Sequence, residues 1–398
     1  MKKKRRFITW VSIICTVVPR FFVSYAFYLV PSLISVKFTY RKFIYLFITA
    51  FVLFMAWLFS CLVANISITS FLLAFGLQLP FIFFLLGFDL KDGINGVLIM
   101  RVISVLLCIF SLIYMAMFYG FPFRLPYLNF LPDFYSAFYF QGGARIITVI
   151  AVFGLAMELF LPKKRKNKFF LFITLLNFLV PNYLIGIIMG VGALGVVALR
   201  KKPAIIPLLL IIVLIVAPYA ADRYQNLNNG FAVNTGMNPK VFAYYSVLQL
   251  YIQFPTTILW GTGLGAFSST PALWASTYIS TLSTHNIPKL PFFFMSAYHQ
   301  DILGPVLRVL VTNKWTLESS ANKPYTSISS IFTEYGLVFT MIIIVLAYNA
   351  FKAMGWSKKY TIAIACFALF IFITDQWHDS LFFGYMLLLS KGISVETV

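Results

Sequence analysis

Arg145 and Glu334 stand where polar stretches run into apolar ones, in Gln141-Gly142-Gly143-Ala144-Arg145-Ile146 and Thr333-Glu334-Tyr335-Gly336. An arginine in such a place either marks a headgroup boundary or binds an anion. Its planar fork suits a pair of diphosphate oxygens and stays charged at any working pH. An acid there is costly unless paired or used, which makes Glu334 a candidate functional group. His285 and His299 titrate near neutrality and are candidates for acid–base work, although the plainer reading of a lone histidine is a hydrogen-bonded polar group. Pro288 and Pro291 lie between them, and neither has metal-ligand spacing. Arg223, Lys240 and Lys323 add cations that, taken singly, read as solvated surface charges. Asp375, His378 and Asp379 fall at i, i+3, i+4 and would grip a cation on a helix; a solvated connection is the plainer reading. No Ser/His/Asp arrangement or zinc-hydrolase motif is present.

Gly261-Thr262-Gly263-Leu264-Gly265 has the look of a phosphate loop, but no strand precedes it and no lysine follows at P-loop spacing. Glycines that let the backbone approach another chain or a lipid headgroup are the better reading, with turn glycines the alternative.

The elements that must position these residues are written in the composition. The chain has 398 residues, 61% hydrophobic and 11% charged, with mean hydropathy +0.90. Soluble domains carry about 25% charged residues. Apolar runs near the ~20 residues that cross a bilayer predict an all-α polytopic membrane protein. The net charge of +20 does not point to nucleic acid, because the basic residues lie in short clusters between apolar runs. Such clusters orient a chain in a membrane. The four cysteines all fall in apolar runs, so neither a disulfide framework nor a thiolate metal site is expected. The opening MKKKRRF imitates a signal peptide but leads into an uncleaved first span.

If each basic cluster faces the cytoplasm, the runs between clusters cross in pairs. Residues 7–36, 43–88, 98–161 and 169–199 would each supply a pair, with 203–221, about 329–351, 360–374 and 380–390 completing the set. This gives about twelve transmembrane helices with both termini inside. Residues 7–36 and 169–199 are short for two crossings each. The chain divides into a bundle of about nine spans (1–221), a large outer loop (222–328) and a bundle of about three spans (329–398). Within the loop, Ser246, Gln249 and Gln253 share one helical face, and Val241, Tyr245, Leu248 and Ile252 share another. An amphipathic helix lying on the membrane, ended by Pro255, accounts for this better than a span. A second such element is expected over 292–311, with no core for the loop apart from the spans beneath it.

The order of these features resembles the bacterial O-antigen polymerases and the related O-antigen ligases. Three patterns carry the resemblance: Gln141-Gly142-Gly143-Ala144-Arg145; Asn238-Pro239-Lys240 leading to Gly261-Thr262-Gly263-Leu264-Gly265; and Asn322-Lys323-Pro324-Tyr325 followed by Glu334-Tyr335-Gly336. Ala321 stands where the family has a histidine before asparagine, Lys240 where an arginine is common, and the family's Ser-Arg-Gly is absent near Gly186–Gly190. These departures favour a polymerase over a ligase. The resemblance implies a metal-independent glycosyltransferase, without cofactor, in the bacterial inner membrane with its large loop periplasmic. It implies undecaprenyl-diphosphate-linked repeat units as substrate, and membrane lipids, a chain-length regulator and a flippase as partners. Arg145, Glu334, His285 and His299 would be catalytic. Lys240, Arg223, Asn322, Tyr325 and the three loop glycines would bind substrate. A ligase acting on lipid A core, or a lipid-linked oligosaccharide flippase, is the alternative.

Overall fold

The computed structural model describes residues 9–11, 24–91, 94–119, 143–162, 165–181, 183–201, 206–207, 209–212, 239–275, 292, 294–304, 326–355, 357–378 and 380–396. The chain is mainly helical, because an apolar run in hydrocarbon must satisfy its backbone groups within itself. The main elements are α1 (Ser24–Ser35), α2 (Tyr40–Val63), α3 (Ile68–Leu85), α4 (Gly96–Tyr119), α5 (Gly143–Phe160), α6 (Lys168–Leu179) and α7 (Leu184–Lys201). They continue with α8 (Pro239–Gln253), α9 (Thr256–Trp260), α10 (Thr270–Ala275), a π-helical turn (His299–Leu303), α11 (Ser327–Met354), α12 (Lys359–Thr374) and α13 (Leu381–Glu396). Two short strands, β1 (Val36–Lys37) and β2 (Asp89–Leu90), pair antiparallel with Lys37 opposite Asp89.

Among the described residues, four helices are long and apolar enough to cross a membrane, and four shorter apolar ones accompany them. α6 has only 12 residues, about 18 Å of helix against a ~30 Å hydrocarbon core. The shortness of residues 169–199 therefore persists in the fold. The paired runs at 43–88 and 98–161 emerge as α2–α3 and α4–α5.

α5 is the central helix, with every residue from Ile146 to Leu159 buried. A helix apolar all round belongs in the interior. Small residues let its neighbours close in: Gly154 lies against Thr174 of α6, and Gly190 of α7 against Val152 and Phe178. α12 packs on α7 and α13 on α3.

The molecule has two chemically distinct ends. Lys42, Asp89 and Lys391 meet at one end, where Gly96 abuts Ile393 and Arg101 grips Glu158. At the other end Ser60, Ser70, the 261–269 loop, the start of α11 and the 375–378 segment come together. α2, α3, α5 and α13 run between these ends, which gathers the described basic residues of 37–42, 91 and 391 on one side of the bundle.

α8 turns Tyr245, Leu248 and Ile252 outward together, as expected, but the expected polar face divides: Ser246 is buried with Val247 and Leu250, Gln249 is half-buried and Gln253 is exposed. Pro255 separates α8 from α9. The described part of the 222–328 segment shares its core with the apolar helices: Val247, Leu250, Phe267, Tyr298 and Leu303 cluster with Trp57, Phe71, Ile331 and Tyr335. Residues 305–311 of the second expected element lie outside the described residues.

Candidate functional site

α11 breaks where Gly336 adopts φ 67°, ψ 179°. A break in a buried helix frees carbonyls that need new donors. The glycine loop supplies them: Thr262 N–H donates to Thr333 O (2.8 Å) and Gly263 N–H to Glu334 O (3.1 Å). Gly261 and Gly336 are in backbone contact, and a Cβ on either would strike the other's main chain. The three loop glycines all have positive φ, with Gly263 against Trp57 and Ser60 and Gly265 against the Ser70 main chain. The chain their backbone approaches is thus their own.

The Glu334 carboxylate completes the join. Its Oε2 accepts from Gly265 N–H (2.9 Å), and its Oε1 from Phe267 (3.1 Å), Ser268 (2.9 Å) and Ser269 (2.8 Å). Glu334 is buried, and four N–H donors occupy both oxygens. The loop's far side is held by Ser296 Oγ, which donates to Ala266 O, and by His299, whose Nδ1 lies 2.7 Å from Phe267 O. A carbonyl partner makes Nδ1 the protonated nitrogen and leaves the lone pair on Nε2. That atom is buried with no hydrogen-bond partner among the described residues. Burial pushes the His299 imidazole down to about 4, against the opposing pull of the Phe267 carbonyl.

The second half of the site joins through Gln376, whose Nε2 donates to Ser268 O (3.0 Å). Next to it, Asp375 Oδ2 accepts from Arg145 Nη2 (2.7 Å), from the Tyr183 hydroxyl and from Trp377 Nε1 (3.2 Å). Its Oδ1 accepts from Gln376 N–H (2.8 Å). Arg145 Nη2 also reaches Gln376 O (3.3 Å), and its guanidinium sits 4.9 Å from the Trp377 ring centre. Ser327, at the start of α11, ties the segment down by donating N–H to Asp375 O and accepting from Trp377 N–H. Arg145 Nε–H meets no acceptor among the described residues. The arginine side chain is 17% exposed over a carboxylate that is 1% exposed.

The result is an oriented guanidinium beside a loop of inward-turned amides. Such a fork suits a phosphate or carboxylate, with Asp375 fixing its angle. Arg145, Glu334, the three glycines and His299 form one continuous polar unit. Lys240 opens α8, and only its backbone is described. His285, Arg223, Asn322 and Tyr325 lie outside the described residues. The expectation of a solvated turn is corrected over 375–378: Asp375, Gln376, Trp377 and His378 are buried, because Ser327, Ser268 and Arg145 provide the partners that water would otherwise supply; Asp379 lies outside the described residues. Sequence reasoning weighed Asp375 only as a cation ligand with His378 and Asp379, and missed it as the partner of Arg145, together with Tyr183 and Trp377. A carboxylate directly ending an apolar run was the available signal.

The fold and site define a helical protein with spans suited to a membrane and a buried polar cluster at one end. Comparison with protein-family models, curated proteins and solved structures gives no match for this chain.

Proposed function

We propose that this protein is an O-antigen or related surface-polysaccharide polymerase, joining undecaprenyl-diphosphate-linked repeat units on the outer face of the bacterial inner membrane. The observation that carries the reading is the Arg145 guanidinium, 17% exposed, held by Asp375, with a buried Nε–H that has no acceptor among the described residues, beside the Glu334-anchored loop. Residues from all three local patterns behind the family resemblance thus border one site.

In the proposed reaction an acceptor sugar hydroxyl attacks C1 of the donor sugar. The C1–O bond to diphosphate breaks, a new C1–O bond forms, and the hydroxyl proton leaves. The diphosphate is a stabilised anion, so the protein's task is to hold its charge and aim the acceptor. Arg145 donates to the diphosphate oxygens, and Asp375 with Tyr183 keeps the fork in place. The Arg145–Asp375 pair is neutral as a unit, so Lys240 and Arg223 supply the net attraction for the lipid-linked anion. Glu334 acts on the loop, because both of its oxygens already accept backbone N–H groups. His299 packs behind the same loop. Of the acid–base candidates, this leaves His285 to receive the hydroxyl proton.

The test is the glycan ladder of a deletion strain complemented with Arg145→Ala. The expected outcome is a membrane-inserted protein that yields single repeat units on the lipid A core. Full-length polymer would remove Arg145 from the mechanism. A deletion strain carrying no repeat on the core would instead identify a ligase, and accumulation of unflipped repeat unit a flippase.

A further inference from the structure

The end of the molecule opposite the proposed site carries a feature that polymerisation does not use. α2 is fastened at its two extremities. Trp57 stacks obliquely on Phe71, 5.5 Å between centres, and Lys42 bonds Asp89 at the other end. Of the most apolar 18-residue stretch of α2, only 17% is buried. A groove of about 480 Å³ opens beside it, lined by Tyr45 and Ile48 of α2, Leu346, Asn349 and Ala353 of α11, and Lys391 of α13. That volume falls in the ~300–1,000 Å³ range of small-ligand sites. It leads sideways onto exposed apolar faces, Val52 and Met55 on α2 and Ile342 and Val345 on α11.

Among the described residues the charge at its mouth is mainly basic: Lys42 and Lys391 both meet the carboxylate of Asp89, and Arg41 stands beside Lys42 at the start of α2. Lys391 gives its three donors to Asp89 Oδ1 (2.6 Å), Gly87 O (2.7 Å) and Phe88 O (3.1 Å), and contributes potential rather than a free N–H. Lys42 bonds Asp89 (3.0 Å) and the Gly87 carbonyl, which uses two of its three donors. Arg41 donates its Nε–H to the hydroxyl of Tyr45 (2.9 Å), a residue that lines the groove. Asn349 is exposed on the facing wall. An apolar slot entered from the lipid, with surplus cations and an amide at one end, matches an amphiphile with an acyl chain and an anionic head.

We infer that this groove binds one anionic glycerophospholipid from the bilayer leaflet at the basic end of the bundle. The acyl chain lies between α2 and α11, and the phosphate sits by Arg41, Lys42 and Asn349. This site is separate from the proposed glycosyl-transfer site and does not depend on it.

The full-length protein, purified in detergent, is titrated with phosphatidylglycerol or phosphatidylcholine, and bound lipid is read by native mass spectrometry. A photo-reactive phenylalanine placed at Ile48 identifies the occupant in membranes. The expected result is a preference for phosphatidylglycerol and a phospholipid adduct at position 48. Arg41→Gln reduces the preference about fivefold, the value of one cation at a membrane surface. Ala353→Trp, which fills the groove, abolishes specific binding. If Ala353→Trp lowers the unfolding midpoint, Ile48→Trp fills it from the exposed wall instead. Equal binding of the two lipids would overturn the inference. So would binding that survives the filled groove, or an adduct to residues 1–23 of this chain or to a second copy.

Discussion

α5 carries an arginine–carboxylate pair at each of its ends, and the two are built differently. At the basic end Arg101 Nε and Nη2 take both oxygens of Glu158 (2.6 and 3.1 Å), Nη2 also donates to Arg165 O (2.6 Å), and the guanidinium covers the Phe170 ring at 4.9 Å. At the polar end Arg145 reaches Asp375 through Nη2, and the same carboxylate oxygen is shared with Tyr183 and Trp377. The first arginine has its fork engaged by protein. The second is oriented by protein and keeps an Nε–H without an acceptor among the described residues. A buried pair of the first kind fixes helix packing. A pair of the second kind holds a cation ready for something else, so an ion pair alone does not separate structural from functional arginines.

Replacing each arginine by lysine breaks this comparison most sharply. Lysine keeps the charge for its buried partner but loses the fork. Arg145→Lys is expected to lower polymer formation per folded molecule by about 10²–10³-fold, the cost of one donor to a developing anion. Arg101→Lys should instead lower the unfolding midpoint in detergent and leave turnover per folded molecule unchanged. Equal losses of turnover in the two variants would erase the distinction.

The next effect sharpens the division of labour inside the polar end. Glu334→Gln keeps the three donors at Oε1 if its amide nitrogen takes the Oε2 position, and leaves the Gly265 N–H without its acceptor, costing about 1–3 kcal/mol. Thermal unfolding in detergent reads the loss. Wild-type stability with lost turnover would return Glu334 to direct catalysis.

How far these two regions were legible beforehand differs between them. The apolar helices α2 through α7 were readable from run length and basic punctuation, and among the described residues four helices are long and apolar enough to cross a membrane, against the about twelve spans expected. The Gly261, Gly263 and Gly265 backbone contact was foreseen in kind but not in partner, since no local pattern says that Gly336 will break α11 opposite it. Arg145 was legible as a cation at a boundary. Asp375 was not, because its burial depends on Ser327, Tyr183 and Trp377, residues brought together only by the crossing of α5, α7, α11 and α12. Local sequence shows where a charge leaves the oil; it does not show which distant segment closes over it.

His299 sets a pH dependence on the polar end alone. Its folded-state value of about 4 lies below the ordinary 6.5. Between these values the unfolded chain binds the proton and the folded chain does not, so stability rises with pH across that window. Its contribution is complete above 6.5 and is lost as pH falls toward 4, roughly 3 kcal/mol in total. Equilibrium unfolding of wild type and His299→Gln from pH 7.5 to 4 should give curves that differ in slope only below 6.5. Parallel curves would show that His299 is protonated or hydrated in the fold.

The smallest expected effect tests whether the basic end's second ion cluster behaves as a surface feature. Asp89 bridges Lys42 and Lys391 at 3.0 and 2.6 Å, yet its side chain is 60% exposed. An exposed pair gains little over its hydration, so Asp89→Asn should cost no more than about 1 kcal/mol. The cost should shrink further in ~1 M salt, where screening acts within about 3 Å. The same substitution removes the carboxylate that opposes the cations at the mouth of the groove, and it should therefore strengthen phosphatidylglycerol binding while weakening the fold slightly. Arg101→Lys, whose carboxylate partner is buried, should lose stability whatever the salt. A large, salt-independent loss in Asp89→Asn would mean that the Lys42–Asp89–Lys391 bridge holds α2 and α13 as firmly as Arg101 and Glu158 hold α4 and α5.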